Sequence, residues 1–144
     1  MSSILNHLED QVLTLTIHRL ERKNAFTGEM YAALAQALSD AATDPLVKVV
    51  LIQGDPTVFS AGNDIEDFLH QPPAGEEAPV FRFLRGISTF PKPLLAAVAG
   101  PAVGVGTTML FHCDLVFAGD NVALSMPFVN LGLCPEAASS LLAP

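Results

Sequence analysis

Two runs of small residues are where this chain can do chemistry with its backbone: Phe59-Ser60-Ala61-Gly62-Asn63-Asp64-Ile65, and Ala99-Gly100-Pro101-Ala102-Val103-Gly104-Val105-Gly106-Thr107-Thr108-Met109-Leu110. Each follows a short apolar run and leads into a candidate helix. Small residues let a ligand approach the main chain, and the amides at a helix start point outward unpaired. The first run has two readings, an anion-binding turn or a tight turn capped by Asn63 or Asp64. Two such turns in one chain match the demand of an oxyanion hole for two N–H groups aimed at one oxygen. The second run is not a dinucleotide fingerprint, because Met109 stands where a third glycine would follow Gly104-x-Gly106. It implies no nicotinamide cofactor.

Side chains able to move protons are fewer. Taken alone, Glu136 in Leu131-Gly132-Leu133-Cys134-Pro135-Glu136-Ala137-Ala138-Ser139-Ser140 is an acid in the first turn of a helix opened by Pro135, where the helix dipole favours it. Ser60 lies in no Gly-x-Ser-x-Gly elbow and has no evident histidine partner. His112 and Cys113 are sequence neighbours that would point apart, so serine or cysteine hydrolysis is not indicated. His7, His18, His70 and His112 lack ligand spacing, and no metal is expected. Cys113 and Cys134 form no Cys-x-x-Cys pair and read as buried thiols.

The elements that must position these groups follow from periodicity. Val12 to Ile17 alternates with the period of a half-buried strand. Phe26, Met30, Ala33, Leu34, Ala37, Leu38 and Ala41 recur at helical spacing, with Thr27 as N-cap and Glu29 in the positive first turn. Val47 to Ile52 is β-branched, short and bounded by turn residues, as a buried strand should be. Gln71 to Glu77 is a surface loop, and Val80 to Thr89 carries a helical stripe able to act as a mobile flap. Leu94 to Ala99, Leu115 to Ala118 and Val122 to Leu124 are further strand candidates. This alternation predicts an α/β fold with buried sheet faces.

The 144 residues are enough for one domain with one sizeable core. Charged residues make up only 15 %, too few to cover a whole surface, so apolar surface should remain for a partner subunit or for further chain. A net charge of -8 with seven Lys and Arg sets aside nucleic acid and anionic membranes as partners. The start, Met1-Ser2-Ser3-Ile4-Leu5-Asn6, has no basic region before an apolar run, and no later stretch reaches membrane-span length. A soluble cytoplasmic protein is expected. The last residues, Leu141-Leu142-Ala143-Pro144, fall inside the helix expected from Pro135, so the chain reads as a fragment or as a helix whose apolar face something else covers.

Arg19 to Phe26 (Arg-Leu-Glu-Arg-Lys-Asn-Ala-Phe), Phe59 to Ile65 and Gly100 to Gly106 resemble, in order and spacing, three signatures of the enoyl-CoA hydratase/isomerase, or crotonase, superfamily. The match continues through Cys113-Asp114 and Pro127 to Gly132. The resemblance implies a ClpP/crotonase-like fold of repeated ββα units over 1–144, lacking the C-terminal helical part that closes the coenzyme A pocket in longer family chains. It implies an acyl-CoA thioester as substrate with no separate cofactor, and a homotrimer or dimer of trimers if the full chain is present. The scaffold serves several reactions.

By position, the family's two thioester-holding amides fall on Asn63 and Val105. The Asn24-Ala25-Phe26 turn resembles the segment lying along coenzyme A, and the stretch Asn63, Asp64 and Ile65 resembles the backbone-built part of the adenine pocket, with Ala61 and Gly62 as further substrate-binding positions of the same turn. Gly104 shapes the second turn. The two hydratase glutamates fall on Thr108 and Phe128, neither of which transfers a proton as a carboxylate does. Glu136, followed by small residues and serine, resembles the base of peroxisomal-type isomerases that convert 3-enoyl-CoA to 2-enoyl-CoA. The resemblance therefore implies an isomerase. An atypical hydratase and a non-catalytic acyl-CoA-binding or subunit-interaction module are the alternatives. Phe128 and Leu133, if they face the site, would raise the proton affinity of Glu136. No Lys or Arg follows Lys92, so part of the charge that holds the coenzyme A phosphates should come from elsewhere.

Overall fold

A computed structural model describes residues 2–144; Met1, where the expected domain begins, lies outside the described residues. β1 (Ile4–Glu9) and β2 (Val12–Ile17) form an antiparallel hairpin in the register Ile4↔Ile17 to Glu9↔Val12. Its two-residue turn, Asp10-Gln11, has φ of 47° and 66°, the positive values that match the twist of paired strands. Sequence periodicity found β2 but not β1. Five of the six β1 side chains are exposed, and a strand with so little buried face leaves no apolar alternation to read.

β3 (Val49–Gln53), β4 (Leu94–Val98) and β6 (Leu115–Ala118) then add in parallel, giving the order β1-β2-β3-β4-β6. β5 (Pro101–Val103) and β7 (Ala123–Ser125) form a second, two-stranded parallel sheet. α1 (Gly28–Thr43) crosses from β2 to β3, while α2 (Ile65–His70) and α3 (Pro79–Ser88) lie between β3 and β4. The short α4 (Val105–Thr108) follows β5, and α5 (Ser139–Leu142) is a single turn.

α1 begins where expected. The Thr27 side chain accepts from the Met30 N–H at 3.3 Å, satisfying one of the orphan amides of the first turn. Its C-terminal end is closed from the loop before β4: Lys92 Nζ donates to the carbonyls of Ala41, Asp44 and Val47 at 2.5, 2.7 and 2.8 Å. A cation there also complements the helix dipole. The apolar stripe of α1 packs with Leu15, Ile17, Val50, Ile52, Leu94, Ala96 and Val98 in the core, and α3 adds Val80, Phe83 and Ile87.

Three expectations are corrected. β6 and β7 do not have buried faces: every residue of both is exposed, with Leu115 at 58 % and Phe117 at 59 %. Here lies the uncovered apolar surface that the low charge content implied. Pro135 opens no helix, because Ala137 and Ala138 adopt left-handed φ of 52° and 54°, which a right-handed helix cannot contain; α5 starts only at Ser139. Cys134 is exposed and not buried. Among the described residues, no helix is long and apolar enough to cross a membrane.

Candidate active site

The first small-residue turn is shaped from below by Asn24. Its side-chain nitrogen donates to the Val58 and Phe59 carbonyls at 3.2 Å, and its side-chain oxygen accepts from the Arg19 N–H at 2.8 Å. Asn24 itself has φ of 57°, a left-handed value that asparagine tolerates better than most residues. Ser60 Oγ donates to the Asn24 carbonyl and accepts from the Gly62 N–H, at 2.8 and 3.1 Å. Phe26 then grips the turn on either side of Asn63: its N–H donates to the Gly62 carbonyl and its carbonyl accepts from the Asp64 N–H, both at 2.8 Å. The Asn63 N–H between them has no acceptor among the described residues.

The second turn is locked against the first. Val103 N–H donates to the Ser60 carbonyl at 2.9 Å. Gly62 has φ of 91°, and a Cβ there would come within 2.9 Å of the Val103 oxygen; a Cβ on Gly106 would come within 3.0 Å of the Ser60 oxygen. Only glycine permits this approach. Gly104, with φ of 56°, donates its N–H to the Ser125 carbonyl on β7, and Thr107 Oγ1 donates to the Ala102 carbonyl at 2.5 Å. The Val105 N–H that opens α4 likewise has no acceptor among the described residues. Two amides without an acceptor among the described residues therefore sit on interlocked turns.

Asp64 answers the open question of the first turn. Its carboxylate caps α2 by accepting from the Asp67 N–H at 3.2 Å and pairs with Arg19 at 2.7 Å. The Arg19 hydrogen bond, above all, holds its pKa below the ordinary carboxylate value. The capping reading therefore holds for Asp64, while the neighbouring Asn63 N–H has no acceptor among the described residues.

Glu136 is half-buried, and burial raises its pKa above the ordinary value. Its negative charge acts on the hydroxyl of the fully buried Tyr31, whose pKa is raised well above normal by burial first and by Glu136 second. The same hydroxyl donates to the side-chain oxygen of Asn63. Tyr31 thus hydrogen-bonds the first amide turn and lies within electrostatic reach of the sequence-predicted base, and reading by periodicity overlooked it. The available signal was that the one tyrosine stands beside the apolar stripe of α1, where a buried hydroxyl needs a partner.

The remaining predicted residues have distinct places. Asn24 and Phe26 have no exposed surface, so their side chains build the turn, while Ala25 and Ala61 are half-exposed and Ile65 is exposed. Thr108 is fully buried with its hydroxyl unpartnered among the described residues, and Phe128 is buried beside Pro135 and Ser139. Leu133 is 58 % exposed. A cavity of about 490 Å³, mostly apolar, opens beside the Glu136 segment, lined by Phe81, Leu84, Arg85, His112, Ala137 and Ala138 among others.

The enoyl-CoA hydratase/isomerase family model matches residues 7–144. The chain is 37 % identical to human enoyl-CoA delta isomerase 2, covering 94 % of this chain and 36 % of that one. It is also 37 % identical to 1,2-epoxyphenylacetyl-CoA isomerase of Escherichia coli, covering 100 % of this chain and 58 % of that one. A hydratase of Escherichia coli, named for 2,3-dehydroadipyl-CoA, is a relative as well. The structure of Pseudomonas aeruginosa OdaA superposes with a TM-score of 0.96 at 53 % identity, over 100 % of this chain and 58 % of the other. The chain spans between about a third and three-fifths of the length of these relatives.

Proposed function

Because the chain belongs to the enoyl-CoA hydratase/isomerase family and has its crotonase fold, we propose that the protein is an isomerase that moves the double bond of a 3-enoyl-CoA to the 2 position. The observation that carries this reading is the charge content of the site. Glu136 is a half-buried carboxylate of raised pKa, while the two family positions that hold glutamates in hydratases are Thr108 and Phe128. One carboxylate suffices for isomerisation; water addition by the family route uses two.

The thioester oxygen accepts from the Asn63 and Val105 N–H groups. Glu136 as carboxylate removes a proton from C2, the electron pair delocalises onto the thioester oxygen and across the C3–C4 double bond to C4, and the two amides stabilise the dienolate. Glu136 then returns the proton at C4, which leaves the double bond between C2 and C3. Burial raises its proton affinity toward that of a shuttle. The acyl chain runs into the cavity beside Phe81 and Leu84, and coenzyme A is part of the substrate, not a cofactor. A homotrimer or dimer of trimers when the full chain is present, in the cytoplasm, belongs to the same proposal, and the exposed apolar residues of β6 and β7 support the first part of it.

Proton NMR of 3-hexenoyl-CoA incubated with the protein in heavy water, beside a Glu136→Gln variant, tests the reading. The expected result is 2-hexenoyl-CoA from the natural protein and a loss of roughly 10²–10⁴-fold in the variant. A 3-hydroxyacyl product would establish a hydratase instead, and unchanged substrate from folded protein would leave a binding module.

A further inference from the structure

Resting on the isomerase reading, we infer that His112 is a positioning residue that sets Glu136 against the oxyanion turn by holding the carbonyl of Ala137. His112 Nε2 lies 2.8 Å from that carbonyl oxygen. A carbonyl only accepts, so Nε2 carries the hydrogen, whether the ring is neutral or cationic. Ala137 directly follows Glu136 and, with Ala138, occupies the left-handed region that alanine enters only where its surroundings impose it. The Ser139 N–H closes back on the Glu136 carbonyl at 3.0 Å. His112 supplies a side-chain hydrogen bond that ties this strained segment to the rest of the fold.

What it is tied to gives the bond its meaning. His112 ends a 3-10 turn, Met109–His112, that continues without interruption from α4. Residues 105 to 110 are all buried. The candidate oxyanion donor, Val105, and the imidazole therefore stand at the two ends of one packed rod. Through His112, the distance between base and oxyanion is set by that rod and not by the loop alone. The titratable and charged groups around the segment are Tyr31 from α1, His112 itself, and Glu76 and Arg85 across the shared cavity. Substituting His112 leaves the other three in place.

Carboxyl-labelled glutamate lets the Glu136 resonance be titrated directly by carbon NMR in the natural protein and in His112→Ala, His112→Leu and His112→Gln, with Glu136→Gln providing its assignment. In the alanine and leucine variants the Glu136 titration is expected to move down toward the ordinary carboxylate value as the segment opens to water. Turnover of 3-hexenoyl-CoA is expected to fall by on the order of 10–10²-fold, with KM nearly unchanged. The glutamine variant keeps an N–H donor and should recover both. An unmoved Glu136 titration in folded leucine variant overturns the proposal, and so does a shift that glutamine fails to reverse, which would mark a packing role. No isomerisation by the natural protein would overturn the isomerase reading, while the titration would still decide whether His112 holds the segment.

Discussion

The hydroxyl of Tyr31 donates to the side-chain oxygen of Asn63, and by this bond the first turn of the longest helix reaches the turn that presents a candidate oxyanion amide. The Tyr31 ring is wedged between Phe26, at 5.2 Å between centroids, and Phe83, at 5.4 Å. Phe26 is also the residue whose backbone grips Gly62 and Asp64. Tyr31→Phe keeps the stacking and removes only the donor. Denaturant unfolding should show a loss of about 1 kcal/mol, the usual cost of one such hydrogen bond. A larger fractional drop in kcat than in 1/KM is expected if the Asn63 peptide loses its setting; equal kinetics in the two proteins would show that the backbone grip is enough.

The raised pKa of Glu136 makes a signed prediction about stability. A carboxyl whose folded pKa lies above its unfolded value binds more protons in the native state, so its contribution is present below the ordinary carboxylate pKa and is lost as pH rises through the folded one. Glu136→Gln removes that loss. Above the folded pKa of Glu136, the variant should be at least as stable as the natural protein while being inactive, and below the ordinary carboxylate pKa the advantage should vanish. Thermal melts across that range check it; an advantage that does not change with pH would mean that the charge is not the cause.

Gly62→Ala tests the interlock of the turns. The added Cβ would meet the Val103 oxygen at 2.9 Å on a backbone with φ of 91°. Strain of this kind costs on the order of 1–3 kcal/mol. Unfolding should register that cost, and isomerisation should fall beyond it, because relief of the clash separates the Asn63 and Val105 turns.

The two thiols should part in reactivity. Burial, then the neighbouring Asp114, pushes the Cys113 thiol up to about 12, whereas Cys134 is exposed. Thiol reagent at neutral pH should label Cys134 and spare Cys113 in folded protein, since the thiolate is the reacting species. Intact mass after labelling reads the result, and a doubly labelled native protein would contradict it.

Much of the architecture was legible because it is written locally. Alternation marked β2, short apolar runs bounded by turn residues marked β3 and β4, and a 3.6-residue stripe with a threonine cap marked α1, since one face of each packs in the core. The two amide turns were legible because only small residues allow such approaches, and Gly62, Gly104 and Gly106 stand where the backbones meet or turn. β1 escaped notice because its side chains face outward, and the helix expected from Pro135 was wrong because a proline at a first-turn position permits a helix without requiring one.

From the amino-acid order alone, then, came the fold class, the family resemblance, both backbone amide turns, and Glu136 as the carboxylate that remains. Tertiary structure alone decided that Tyr31 meets Asn63, that His112 holds Ala137, and that Glu136 is half-buried on a left-handed segment. The physical reason is range. Strand, helix and turn preferences act over a few residues, but these contacts join positions 32 and 25 residues apart, and they exist only after packing has brought α1 to the Asn63 turn and the 3-10 turn after α4 to the segment following Glu136.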